Sequence, residues 1–270
     1  KNVHFFKTKP TVMFEEGSFS GAFGVETQFV GANPETAAQI KYYLKKRHTF
    51  GKMTLEIHDK DGNLVSKLGP GKSKGINMVS WNYRMTQPKV AKGKTFTFGG
   101  FTSPQVEAGT YKAVLTKGKE TFEQEFDVIY DPKSDMSLDE RKKKHEVTMK
   151  LYDMTQELAY MVYELDAILE KATALKSKKL VEKLTALKET FVITTGDNYV
   201  GSSEPQLREK IADLYSKVAS SYQVASNSEM AYLSLVEKRY DTAKEDYAKI
   251  KKRVKFLDEL KLKTFEEFIK

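Results

Sequence analysis

The residues able to do chemistry are few and scattered. The four histidines, His4, His48, His58 and His145, lack the i, i+4 spacing and the carboxylate neighbours that build a zinc site or a triad. They are expected as surface or packing residues. Gly71-Lys72-Ser73 has the ending of a phosphate loop, but Ser66 stands where the loop needs its first glycine and no helix pattern follows. Asp59, Asp61 and Asn63 imitate the start of a calcium loop, yet the glycine comes too early and Pro70 occupies the last ligand position. A tight hairpin at Asp61-Gly62-Asn63 explains the same residues. Acidic residues are abundant, but no spacing selects a pair for glycoside hydrolysis. Cysteine is absent, which removes disulfides, thiolate metal ligands and cysteine nucleophiles together. No catalytic, cofactor-binding or metal-binding residue is therefore assigned, and the chain is expected not to be an enzyme.

Two groups of residues offer contact rather than catalysis. Tyr83 and Arg84 beside a strand end, with Phe98 and Phe101 in a glycine-rich stretch, form a candidate surface for protein or sugar. Trp81 shares a strand face with Val79 and is expected in the core. A second candidate is a basic collar of Arg141, Lys142, Lys143, Lys144, Lys251, Lys252 and Arg253, suited to an acidic partner or anionic polymer. The net charge of +8 comes from 45 basic residues interleaved with 37 acidic ones. That mixture describes a solvated surface, so no nucleic-acid partner is expected. No stretch approaches the roughly 18 apolar residues of a membrane span.

The elements that would position these residues change character along the chain. Up to about residue 130 the sequence reads as strands over Gln39 to Leu44, Met53 to Ile57, Asn63 to Leu68, Ile76 to Trp81, Tyr111 to Thr116 and Thr121 to Ile129. Residues 131–137, DPKSDMS, form a linker, and Ser137 with Glu140 has the spacing of a capping box. Beyond it Val147, Leu151, Met154, Leu158, Met161, Leu165, Ile168 and Ala172 follow heptad spacing, which predicts one helix of about 38 residues, roughly 57 Å long. Two shorter helices around Leu184 and Leu214 and a long fourth one from Leu233 to Leu257 continue the pattern. Short connections favour antiparallel neighbours, which would set the two halves of the basic collar side by side.

The stretches IHDKDGNLVSKL, GINMVSWNYR and EAGTYKAVL resemble the Ig-like domain of flagellar hook-assembly proteins. With VGANPETAAQIKYYLKK and the helical tail, the wider order resembles the C-terminal region of bacterial sortilin-like β-propeller proteins, often labelled glycosyl hydrolases with Asp-box repeats. Ala225-Ser226-Asn227-Ser228 departs from it where a proline-containing turn is expected. The resemblance implies an α+β multidomain chain. Residues 1–33 would be a strap carrying Phe5, Phe6, Phe14, Phe19 and Phe23, 34–131 an Ig-like antiparallel β-sandwich, and 137–270 an antiparallel four-helix bundle with two long helices. It further implies a non-catalytic module of an exported bacterial protein, secreted, periplasmic or at the cell surface. Its partner would be another protein or its own propeller, with a glycan as the alternative, and any hydrolytic site would belong to the propeller. The opening KNVHFFKTKP lacks a start methionine and a signal-length apolar run, so the numbering is expected to begin inside a longer product.

Overall fold

The structure is a computed structural model that describes residues 2–14, 36–195 and 203–270. The chain is mixed α and β and divides into two compact units. One comprises Lys1–Thr86 with Gln105–Leu138, and the other Gln87–Pro104 with Asp139–Lys270. Residues 87–104, read from sequence as part of the β region, thus belong with the helices.

The β unit contains β1 (Val3–Phe5), β2 (Thr11–Met13), β3 (Ala38–Leu44), β4 (Met53–His58), β5 (Leu64–Leu68), β6 (Gly75–Trp81), β7 (Gly109–Lys117) and β8 (Glu120–Tyr130). They form a three-stranded sheet in the order β1-β3-β6 and a five-stranded sheet in the order β2-β8-β7-β4-β5. All pairings are antiparallel except that of β2 with β8. The expected strap therefore contributes a strand to each sheet. Phe14 is exposed, while Phe19 and Phe23 lie outside the described residues.

Alternation decides which side chains are covered. Met53, Leu55 and Ile57 of β4 are buried and the residues between them are not. They join Ile40, Tyr42, Trp81, Leu115, Phe126 and Val128 in one core shared by both sheets. Burial pushes the Tyr42 hydroxyl up to about 12, even though it donates to the carbonyl of Gly71 at 2.7 Å. The hairpin at 59–63 forms because Gly62 takes φ +85° and the Asp59 carboxylate accepts from the backbone N–H groups of Asp61 and Asn63. The carboxylate that imitated a calcium ligand is thus spent on its own turn. Asn77 likewise clasps the 71–75 loop, donating to the carbonyls of Ser73 and Gly75 and accepting from the Ser73 N–H.

The helical unit contains α1 (Leu138–Ala174), α2 (Lys178–Phe191), α3 (Leu207–Ser220), α4 (Asn227–Lys251) and the short α5 (Phe265–Ile269). Leu151, Leu158, Leu165 and Ala172 of α1 share a core with Leu184, Ile211, Leu214, Leu233 and Val236. The direction of α4 differs from expectation. Lys150 pairs with Glu237, Glu157 with Tyr240 and Lys244, and Glu164 with Tyr247 and Lys251. Both members advance by seven residues in the same sense, so α1 and α4 run parallel. Reversal is left to α2, whose Lys188 meets Asp166 at 2.6 Å, and to α3, whose Tyr215 meets Tyr152. Ser226 caps α4 by accepting from the Glu229 N–H, which is how the 225–228 departure is accommodated.

Candidate functional site

The surface with the clearest capacity for contact is built on the segment that joins the helical unit from between β6 and β7. Its two feet are pinned together in the β unit, where Arg84 bridges Gln105 and the Val106 N–H donates to the Tyr83 carbonyl at 2.9 Å. Between them the chain packs on α3. Arg208 donates through Nε to the Ala91 carbonyl at 2.6 Å and through Nη1 to Thr95 Oγ1 at 3.0 Å, and pairs with Glu209 at 2.7 Å. Both side chains are over nine-tenths buried, so the pair must satisfy itself within the protein. Thr95 donates to Glu209 at 2.8 Å and completes the network. Further along, Tyr215 donates to the Thr102 carbonyl at 2.9 Å, and the hydroxyls of Thr102 and Ser216 are 3.1 Å apart.

Phe98–Phe101 forms one 3-10 turn in this segment. In a 3-10 helix residues i and i+3 eclipse one another, so Phe98 and Phe101 share a face. Gly99 takes the opposite face, against α3: a Cβ there would lie 2.8 Å from the Ala212 Cβ and 2.9 Å from its carbonyl oxygen. Glycine is what lets the turn sit this close, and the close seating leaves the phenyl groups outside. Phe96 stacks on Phe101 with centroids 5.1 Å apart and meets Phe98 edge-on at 5.2 Å. The three rings are 52%, 65% and 66% exposed. Covering them would remove roughly 350 Å² of apolar surface, a gross gain of about 9 kcal/mol before the costs of association.

The other residues singled out in the sequence lie elsewhere. Tyr83 is in the core of the β unit, 2% exposed, with φ +58°. Its hydroxyl meets Thr11 at 2.5 Å, and burial raises its pKa. It is therefore corrected from contact residue to core residue. Arg84 is half-buried beside it in the same unit, so the four candidates divide between two units and only Phe98 and Phe101 share a surface. Trp81 is buried against Tyr83, Tyr111 and Phe126 and donates to the Arg84 carbonyl. Phe96 stands in the same glycine-rich stretch as an aromatic suited to contact but outside the four candidates, and the structure adds it to Phe98 and Phe101.

The basic collar is not formed. Lys251 reaches Glu164, and Arg141 to Lys144 lie some six turns earlier on α1, about 30 Å away at the rise of a helix. Parallel packing of α4 separates the groups that antiparallel packing would join. Lys142, Lys143, Lys252 and Arg253 are exposed; Arg141, Lys144 and Lys251 are partly covered.

Among the described residues no group of three His, Cys, Asp or Glu side chains is placed to hold a metal ion. No helix among them is long and apolar enough to cross a membrane. Comparisons with protein-family models, with curated proteins and with solved structures find no match.

Proposed function

We propose that the chain is a non-catalytic interaction module whose principal contact is the Phe96, Phe98 and Phe101 cluster. The observation that carries this reading is a cluster of three half-exposed rings, Phe96 stacked on Phe101 and edge-on to Phe98, in a segment tied to α3 by buried polar groups. A loop fixed at such expense presents a preorganised apolar anchor, and a phenyl group has no hydrogen-bonding atom to use on a polar ligand. The occupant is accordingly an apolar protein surface: a separate protein, or the propeller that the resemblance to sortilin-like proteins places earlier in the parent. That resemblance also supports an Ig-like sandwich for the β unit and a secreted, periplasmic or cell-surface location.

Replacing all three phenylalanines by serine tests the reading. The rings lie outside the core, so the variant keeps the melting temperature of the parent chain. In pull-downs from cells that produce the protein, the parent retains a defined partner that the variant loses. Identical partner sets for the two chains refute the proposal. Glycan-array binding that disappears with the rings would replace the protein partner by a carbohydrate.

A further inference from the structure

A second surface, in the β unit, carries a different chemistry. Three connections meet at one end of the sheets: 45–52 between β3 and β4, 69–74 between β5 and β6, and 117–119, the last residue of β7 with the turn into β8. Backbone bonds bring them together. The His48 N–H donates to the Lys72 carbonyl at 2.9 Å, the Gly118 N–H to the Lys52 carbonyl at 3.1 Å, and the Lys45 N–H to the Asn2 carbonyl at 2.9 Å. The loops read KKRHTFGK, GPGKSK and KGK, so eight of their seventeen residues are cationic and none is acidic. Lys45, Lys46, Arg47, Lys52, Lys72 and Lys119 are exposed, and none is in an ion pair with an acidic side chain among the described residues. This contrasts with the interleaved charges of the helical unit.

At the tip of the first loop Phe50 is 88% exposed, more than any other large apolar side chain described. The tip is held by Gly51 at φ +88° and by the His48 ring, whose Nε2 lies 3.1 Å from the Gly51 carbonyl oxygen. Beside it a cavity of about 380 Å³ is lined by Asn2, Lys45, Lys46, Arg47, Phe50 and Lys117, among others. The arrangement pairs a bare phenyl ring with uncompensated cations around a hollow. A purely anionic polymer satisfies the cations and leaves the ring in water. An anionic bilayer satisfies both, offering phosphates at its surface and an acyl boundary just beneath.

We propose that this end of the β unit docks peripherally on an anionic phospholipid membrane, with lipid phosphates among Lys45, Lys46, Arg47 and Lys117 and with Phe50 inserted below them. The surface is distinct from the aromatic cluster on α3, and substitutions in one leave the other intact.

Co-sedimentation of the full chain with phosphatidylcholine vesicles, with and without phosphatidylglycerol, tests this. Binding is expected only with phosphatidylglycerol and is expected to fall with added salt. Lys45→Glu with Lys46→Glu and Arg47→Glu should weaken it by more than about 100-fold. Phe50→Ser should weaken it roughly tenfold with an unchanged salt dependence. Tryptophan in place of Phe50 should shift its emission to the blue on the vesicles. All these side chains are exposed, so the variants should melt with the parent chain. Equal binding to both vesicle types, unchanged binding by the variants, or tighter and Phe50-dependent binding to an oligonucleotide would overturn the proposal.

Discussion

At Gly99 a single hydrogen in place of a side chain decides whether three aromatic rings are presented or lost. Any Cβ there meets Ala212, including its backbone oxygen, which cannot turn aside as a flexible side chain can. Gly99→Val should cost about 2 kcal/mol in urea unfolding and raise amide exchange through 94–102. An unchanged midpoint would show that the turn is not seated on α3. Residues of this kind were partly legible in the sequence. Trp81 shares a face with Val79, which predicts a core position, and it lies there. Tyr83 differs from the expected contact residue because nothing in a strand-end tyrosine announces a left-handed backbone that returns its ring to the core, a conformation costing on the order of 1 kcal/mol and held here by its neighbours. Phe98 and Phe101 stand out in the sequence by aromatic content, but their common face depends on a 3-10 turn that hydrophobic periodicity does not reveal.

For the helices, the heptad seam located α1 and α4 but left their relative direction open, since parallel and antiparallel partners bury the same stripe. Charge does not settle it either: Lys150, Glu157, Glu164 and Lys171 recur every seven residues on α1 and read the same in both directions, so Glu237, Lys244 and Lys251 of α4 find opposite signs whichever way they run. The structure takes the parallel pairing, Lys150 with Glu237, Glu157 with Lys244 and Glu164 with Lys251. A short bismaleimide should therefore link Lys150→Cys to Glu237→Cys and fail to link Lys144→Cys to Lys251→Cys; the reverse outcome would restore antiparallel packing. The Glu157 pair also has a pH signature. Burial opposes ionisation of Glu157, but hydrogen bonds from Lys244 and Tyr240 outweigh it and hold its pKa below the ordinary 4.5. A depressed folded-state pKa contributes stability above the unfolded value and loses it as pH falls through the folded one. Lys244→Met should thus lower stability at neutral pH, with the gap to the parent closing progressively below about pH 4.5 in urea titrations. A gap independent of pH would assign the effect to packing of the lysine stem.

Over the whole molecule, the change from period-two to heptad patterning near residue 131 was visible, whereas the transfer of Gln87–Pro104 to the helical unit was not. That segment carries no helical or strand repeat. Its placement depends on long-range partners, the Arg208–Glu209 pair above all, whose side chains look in sequence like two charges on a solvated helix. The consequence is functional, because the segment that escaped a periodicity reading bears the exposed rings. Other apolar side chains are exposed on strands, helices and loops, whereas Phe96, Phe98 and Phe101 are exposed together on a segment tied to α3.

Photo-crosslinking from position 98 tests that conclusion most directly. With benzoylphenylalanine in place of Phe98, irradiation in the producing cells should give one discrete adduct, which Phe96→Ser with Phe101→Ser removes. The same group at Leu235, equally exposed on α4, should not give that adduct. No adduct from position 98, or the same adducts from both positions, would contradict the assignment of the cluster as the chain's contact surface.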